Sequence, residues 1–221
     1  MRSQQDEQLL CRLREDVEAV SEDVVHLFWT RRWYRNLVRM VSSNPRINRE
    51  HSFWLWVMQT YVSTVSVAVR RLLDKGDKRR TVSLGTITMR LAEHPGLISR
   101  GEYVGAYDWL NADIGHGNFD RFAGPGGQAL SPQLLERRLE ETRQQCTAVI
   151  EHVDKELAHR DRNHPGTLAT SEIDDAIDAT GSLFKDLYLL LKNADMSLEL
   201  ADQMGGNWLF REPWIRAESR S

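Results

Sequence analysis

The segment FWLWVMQTYVSTVSVAVRRLLDK, residues 53–75, decides the fold class of this chain. It is apolar around most of its circumference, and its many β-branched residues would favour a strand by propensity alone. Its length instead favours a helix, because strands of more than about ten residues are uncommon. Polar residues also recur three or four positions apart, as they do on one side of a helix. These residues are Gln59, Ser63, Ser66 and Arg70. We therefore predict that residues 53–75 form the central buried helix.

Helical periodicity continues on both sides of this segment. Residues 7–29 place apolar side chains three or four positions apart, which predicts a one-faced helix. The stretch WYRNLVRM at 33–40 continues this helix or opens a second one, and Pro45 stops it. A short helix is expected over about 83–93, with Ser83 as its N-cap.

The second half of the chain adds two long helices. Residues 131–162 are predicted to be helical, with Ser131 as N-cap and a proline at the first helical position. Residues 170–196 form the last long helix, capped by Thr170 or Ser171. We find no strand pattern. The predicted fold class is all-α, a bundle of four to five principal helices with a short extra helix.

The chain is predicted to form a single domain over residues 1–221. Residues 101–130 are rich in glycine and aromatic residues without a clear period, which predicts an irregular insertion. Residues 205–221 form a short C-terminal tail that includes Trp208 and Trp214.

Composition limits the classes of function. The formal net charge of −3 gives no overall basic field of the kind that indicates nucleic-acid binding. Cys11 and Cys146 are isolated, which argues against a disulfide framework and fits a reducing cytosol. We see no signal peptide and no run of roughly 20 apolar residues. We expect a cytoplasmic protein without membrane association, and the absence of nucleotide-cofactor and serine-hydrolase motifs predicts no cofactor.

The stretch DKELAHRDRNHPG, residues 154–166, concentrates groups that could cleave RNA. Cleavage without metal needs a base for the 2′-hydroxyl, an acid for the leaving oxygen and positive charge for the phosphorane. The pKa of histidine suits the first two roles, and arginine suits the third. The alternative is that these cations are stabilised by the helix dipole and by water. The stretch supplies His159, Arg160, Asp161, Arg162 and His164.

Three further patterns are open to more than one interpretation. A metal site could use His152, His159 and His164 with Asp154 or Asp161, but histidines seven positions apart chelate one ion poorly, so we predict no metal. The segment VRRLLDKGDKRR is a basic patch that could follow a phosphate backbone, or simply a solvated helix end. Its cations are Arg70, Arg71, Lys75, Lys78, Arg79 and Arg80. His116, between two glycines, could line a pocket but is expected in a turn.

Two segments together resemble a known family. VAVRRLLDKGDKRRTVSL, residues 67–84, precedes a short helix, and VDKELAHRD, residues 153–161, closes a later one. Over about 65–91 and 151–161 the chain resembles the HEPN superfamily of helical bundles, in its AbiU2-like branch associated with phage abortive infection. The resemblance implies a bundle that commonly dimerises. Arginine and histidine elements spaced R-x(4–6)-H from two subunits would then form a shared cleft that cuts RNA without metal.

Carried over, the family histidine falls on His159. The family arginine would fall at 152–154, where this chain has His152, Val153 and Asp154. A literal R-x(4)-H match at Arg46 and His51 lies in a predicted loop, and chance alone accounts for it in a chain with this many arginines.

The resemblance predicts an endoribonuclease of a phage-defence or toxin-antitoxin type system, acting on RNA as a homodimer, with an antitoxin or other protein as possible partner. The residues predicted to be catalytic are His159, Arg160 and Arg162. Those predicted to bind RNA are Lys155, Arg70, Arg71, Lys78, Arg79 and Arg80, and those predicted to support the site are Asp74, Asp161 and His164. The alternative is a non-catalytic bundle that binds RNA or protein, with Trp208 and Trp214 docking a partner subunit.

Overall fold

Over the residues described by a computed structural model, 2–48, 52–76, 81–107, 110–157 and 168–198, the chain forms eight α-helices and no β-strand. A short 3-10 turn at Pro95–Leu97 and a π-helical turn at Val153–Leu157 complete the regular structure. The α-helices are α1 Gln4–Ser43, α2 Ser52–Leu72, α3 Leu84–Glu93, α4 Arg100–Val104, α5 Ala112–Ala123, α6 Pro132–Gln145, α7 Thr147–His152 and α8 Thr170–Lys192. The predicted all-α bundle is confirmed.

Helix α1 is a single helix of 40 residues, so the stretch at 33–40 continues it rather than opening a second helix. The Ser3 hydroxyl caps its start by accepting a hydrogen bond from the backbone N–H of Asp6 at 3.2 Å. Its N-terminal two thirds bury one apolar stripe against the bundle, as the periodicity predicts. The stripe consists of Leu10, Leu13, Val17, Val20, Val24 and Leu27.

The central helix of the bundle is α8, and the prediction that residues 53–75 occupy this position is wrong. Helix α8 contacts α1, α2, α3, α6 and α7, and apolar residues line most of its circumference. Helix α2 buries side chains only from Tyr61 onward, whereas Trp56 is 60% exposed. The apolar first half of α2 misled the prediction because it lies beyond the end of the core.

The helix predicted over 131–162 is divided at Cys146, where α6 ends and α7 begins. The hydroxyl of Thr147 donates to the carbonyl of Gln144 at 2.8 Å and competes with the regular helical hydrogen bonds. The Cys146 thiol is fully buried, and this burial raises its pKa to about 11. After this division, α7 and the π-helical turn pack against α2.

The prediction of an irregular segment over 101–130 is also wrong, because α4 and α5 cover much of it. One of the glycines that suggest a loop instead permits close packing. A Cβ atom on Gly115 would lie 2.9 Å from the ring of Tyr107, so only glycine fits at this position of α5. His116, expected in a turn, lies in the same helix.

Arg100 holds this segment together. Its side chain is nearly buried, and its guanidinium donates to Asp120 Oδ1 at 2.5 Å and to the carbonyl oxygen of Gly127 at 2.7 Å. A further hydrogen bond reaches the carbonyl oxygen of Gly124 at 3.2 Å. One buried cation therefore satisfies the backbone of the turn that follows α5.

The predicted N-cap residues agree only in part with those in the structure. Ser83 caps α3 as predicted, in a reciprocal arrangement with Thr86. Helix α8, however, is capped at Ala169, not at Thr170 or Ser171. The carboxylate of Glu172 accepts the backbone N–H of Ala169 at 2.7 Å, which satisfies the helix end without a capping hydroxyl.

Among the described helices, none is both long enough and apolar enough to cross a bilayer. The tail at 205–221, with Trp208 and Trp214, lies outside the described residues. The single-domain assignment stays a prediction.

Candidate functional site

Arg70 joins the two segments that carry the predicted site. Its Nε donates to Asp154 Oδ1 at 3.1 Å, and its Nη1 donates to Asp74 Oδ1 at 3.3 Å. Burial lowers the pKa of the Arg70 guanidinium, but the hydrogen bonds and charges of Asp154 and Asp74 outweigh burial and raise it. Arg70 therefore remains a permanent cation between two carboxylates, one on each segment.

Asp74 is positioned by the start of α3. The hydroxyl of Ser83 donates to the Asp74 carbonyl oxygen at 2.7 Å. Gly85 packs so closely on this backbone that a Cβ atom would lie 2.3 Å from the same oxygen. Ser83, at the end of the segment VAVRRLLDKGDKRRTVSL, and Gly85, just after it, therefore fix the end of α2.

The π-helical turn at Val153–Leu157 brings Asp154 to Arg70. Helix α2 packs against both α7 and this turn. Such turns are uncommon and occur often at functional sites, because they change the direction of side chains within a helix. Within the described part of the chain, Nδ1 of His152 is buried and has no hydrogen-bond partner.

The other predicted RNA-binding cations that the structure describes are paired with carboxylates. Lys155 Nζ lies 2.7 Å from Glu151 Oε2, and Arg71 Nη2 lies 2.6 Å from Asp23 Oδ1 on α1. The Arg71 side chain therefore points away from the carboxylates that hold Arg70. The neighbouring Lys75 pairs with Glu140 at 2.8 Å.

The remaining predicted residues lie outside the described residues, and their roles stay predictions. They are His159, Arg160, Asp161, Arg162, His164, Lys78, Arg79 and Arg80. Of the residues considered for a metal, the structure describes His152 and Asp154. In the described ranges, no group of three or more His, Cys, Asp or Glu residues lies close enough to hold a metal ion.

A second charged cluster was missed by sequence reasoning. Asp186 on α8 is buried and accepts hydrogen bonds from Arg121 and from Arg138 Nε, the latter at 3.0 Å. These groups line a cavity of about 220 Å³ with an apolar floor that includes Phe122 and Leu183. An aspartate within the apolar stretch LFKDLYLLL is the signal that could have indicated it.

Comparison with known proteins matches this chain to a family model. The family model HEPN_AbiU2, described as AbiU2, matches residues 10–207, which is most of the chain. No curated protein and no solved structure matches.

Proposed function

Because the chain belongs to the AbiU2 family of HEPN proteins, which is associated with abortive infection, we propose that it is a metal-independent endoribonuclease of a phage-defence or toxin-antitoxin type system. The observation that carries this proposal is the ion pair between Arg70 and Asp154. These two residues are 84 positions apart in the chain, and each lies in one of the two segments that resemble the family. Their contact supports a single site built from both segments.

In the proposed reaction the 2′-hydroxyl of a ribose attacks the adjacent phosphorus. The bond from the 2′-oxygen to phosphorus forms, the bond from phosphorus to the 5′-oxygen breaks, and a 2′,3′-cyclic phosphate results. His159 takes the proton of the attacking hydroxyl in its neutral form, and a protonated histidine gives a proton to the leaving oxygen. Arg160 and Arg162, with Lys155, stabilise the charge of the phosphorane.

A homodimer would supply both histidines. HEPN domains commonly dimerise, and a two-fold axis would bring His159 of each subunit to one cleft, as base and acid. Asp74 and Arg70 would act as positioning residues that hold the π-helical turn leading to His159. This arrangement would also place the charges from both subunits around one phosphate.

A non-catalytic bundle that binds RNA or protein is the second candidate. It is favoured by the residues at 152–154, which are His152, Val153 and Asp154 instead of an arginine. The ion pairs of Arg71 and Lys155 favour binding of a protein over binding or cleavage of RNA at this site, because a paired cation binds phosphate less strongly. In this role the contacts of Arg70 would only fix the packing of the helices.

The two candidates are separated by incubating the protein with total RNA and with transfer RNA in the presence of EDTA. The wild type is compared with His159→Ala, Arg160→Ala and the control His26→Ala, which alters an exposed histidine of α1. The proposal expects cleavage by the wild type and by His26→Ala in EDTA, and no cleavage by His159→Ala.

Cleavage that persists in His159→Ala, or that EDTA abolishes and magnesium restores, contradicts the proposed mechanism. A folded wild-type protein that cuts neither RNA supports the non-catalytic candidate. The helical content of each variant is checked by circular dichroism, so that an unfolded variant is recognised.

A further inference from the structure

The C-terminal end of α1 and the N-terminal end of α2 form an arm. Its base packs against the core through Phe28 and Tyr34, and its outer part extends beyond the core. The arm consists of residues 28–48, which are the end of α1 and the turn after it, and residues 52–60 of α2. None of these residues is buried, whereas Leu27 before the arm and Tyr61 after it are. At 1.5 Å per residue, the part of α1 within the arm is about 24 Å long.

The charge of the arm is opposite to that of the whole protein. Residues 28–48 contain five arginines and no aspartate or glutamate, which gives a net charge of +5 in a chain whose net charge is −3. At the base of the arm, Arg31 pairs with Asp178 at 2.7 Å and Arg35 pairs with Asp174 at 2.6 Å. Within the described ranges, the ion pairs include neither Arg39 nor Arg46, and both side chains are exposed.

Aromatic side chains stand among these cations. Four of the seven tryptophans in the chain lie in the arm. Trp56 is 60% exposed and Phe53 is 45% exposed, with their ring centroids 6.0 Å apart. Four further large apolar side chains on the arm are also exposed. They are Val38, Ile47, Leu55 and Met58.

The geometry of the arm is fixed at its base and at its tip. Tyr34 and Tyr61 stack with ring centroids 3.8 Å apart and nearly parallel planes, which joins α1 to α2. At the tip, Trp54 Nε1 donates to the carbonyl oxygen of Ile47 at 3.1 Å. The side chain of Asn44 accepts the backbone N–H of Arg46 at 3.0 Å, which orders the turn. The exposed groups therefore project from a preformed surface.

We propose that the arm binds single-stranded RNA, with Arg39 and Arg46 on phosphates and Trp56 stacked on a base. Proteins bind single strands with a basic surface that follows the backbone and aromatic rings that stack on the bases, and the arm has both. A second copy of the chain is disfavoured on the same patch, because a two-fold contact would bring the arginines of both copies together.

The arm also points to how RNA would reach the proposed cleavage site, and this step rests on the function proposed above. Trp56 and Arg70 lie on the same uninterrupted helix, α2, so a fixed distance of about 21 Å separates them. RNA held on the arm would run along α2 toward the Arg70 and Asp154 pair. The substrate class is then an unpaired RNA segment rather than a duplex, because only unpaired bases expose their faces for stacking.

Binding is tested with a labelled single-stranded 2′-O-methyl RNA of about 12 nucleotides, which has no 2′-hydroxyl to attack and so is not cleaved. The full chain is compared with Arg39→Glu/Arg46→Glu, with Trp56→Ala and with the control Arg12→Glu/Lys185→Glu. The control makes the same change in charge at exposed positions away from the arm.

We expect the double arm variant to bind the RNA at least about tenfold more weakly than the wild type. The slope of log affinity against log salt concentration should also become shallower by about 1.4, because two phosphate contacts are lost. Trp56→Ala should lose at least about fivefold in affinity, and the control should stay within about twofold of the wild type. A duplex of the same sequence should bind more weakly than the single strand.

Equal losses in the arm variant and the control would overturn the inference, because they would show only a general effect of charge. Unchanged RNA affinity in the arm variants would overturn the inference as well. If Trp56→Ala then dissociates a dimer, the arm is an interface between copies of the chain and not an RNA-binding surface. The probe is not cleaved, so failure of the proposed nuclease activity leaves this measurement intact. Conversely, the wild type could cleave RNA while the arm variants bind the probe as tightly as the wild type does. That result would overturn the inference about the arm and leave the proposed function standing.

Discussion

Gly85 shows how a single residue sets the approach of α3 to α2. A Cβ atom at this position would lie 2.3 Å from the carbonyl oxygen of Asp74 and 3.0 Å from that of Leu73. Both neighbours are backbone atoms, which cannot move aside as a flexible side chain would. The glycine is therefore required by close packing, and it keeps Asp74 within reach of Arg70.

We expect Gly85→Ala to destabilise the protein by about 1–3 kcal/mol, because the added methyl group overpacks a backbone contact. Urea unfolding followed by circular dichroism measures the change. Gly101→Ala is the matched control, since nothing lies within 4 Å of a Cβ atom there. Equal stability of the two variants would show that α2 and α3 are not as closely packed as described.

Arg70 is predicted to act on cleavage through position rather than through contact with RNA. We expect Arg70→Ala to lower kcat between about tenfold and a hundredfold with little change in KM, because the turn before His159 loses its tie to α2. Arg70→Lys should restore part of the rate. The control Arg137→Ala removes an ion pair of the same i,i+4 spacing from the surface of α6.

Steady-state cleavage assays of these variants decide the role of Arg70. A rise in KM with unchanged kcat would contradict the positioning role and indicate direct binding of phosphate. At this scale the sequence predicted Ser83 as a cap, Arg70 as a residue that binds RNA and Asp74 as a residue that supports the site. It did not predict the contact with Asp154, because periodicity identifies the face of a helix and not the residue that faces it.

At the scale of elements, α4 and α5 show why glycine-rich sequence is ambiguous. Gly115 is a residue type that favours loops, yet it lies in α5, where the ring of Tyr107 packs against it. Arg100 supplies hydrogen bonds that the short helices and their turn cannot make themselves. Local sequence patterns do not identify a hydrogen-bond donor that is distant along the chain. The sequence therefore predicts the position of this segment but not its helices.

Arg100→Met should loosen this segment while keeping the apolar stem of the side chain. The carbonyl oxygen of Gly127 then loses the Arg100 donor, and that of Gly124 keeps only the backbone N–H of Gly127. Amide exchange in residues 112–128 is therefore expected to accelerate by about tenfold or more. Hydrogen exchange with mass spectrometry measures it, with Arg12→Met as control. Exchange rates equal to those of the control would mean that Arg100 does not hold the segment.

At the scale of the whole molecule, the sequence predicted the class of fold but not its centre. The stripe on α1 and the helical segments follow from periodicity, and these are confirmed. Helices α2 and α8 are both rich in apolar residues, and composition alone cannot tell which one lies in the middle. Helix α2 differs from α8 in the arm, where its apolar and aromatic residues face solvent. We infer that these residues are exposed because they bind RNA.

Stability is predicted to fall in acid. Hydrogen bonds from Ser99 lower the pKa of Glu102, and the hydrogen bond from Lys75 lowers that of Glu140, both from an ordinary value of 4.5. The unfolded chain therefore binds protons more readily at these sites. Their contribution to stability is present above pH 4.5 and is lost as the pH falls through the lower pKa values of the folded state.

Thermal unfolding from about pH 6 to pH 3 tests this prediction. The variant Glu102→Gln/Glu140→Gln should have a flatter profile below pH 4.5 than the wild type. Glu136→Gln, at an exposed position of α6, is the control for the loss of a carboxylate charge. Parallel profiles for the wild type and the double variant would contradict the assignment of these two carboxylates.

The most direct test of the proposed function is the chemistry of the RNA ends after incubation with the wild-type protein in EDTA. Attack by the 2′-hydroxyl predicts a 2′,3′-cyclic phosphate on one fragment and a 5′-hydroxyl on the other. It also predicts that an RNA with a single 2′-deoxy residue at the cut position resists cleavage there. Fragments with 3′-hydroxyl and 5′-phosphate ends would contradict it, because those ends arise when water rather than the 2′-hydroxyl attacks phosphorus.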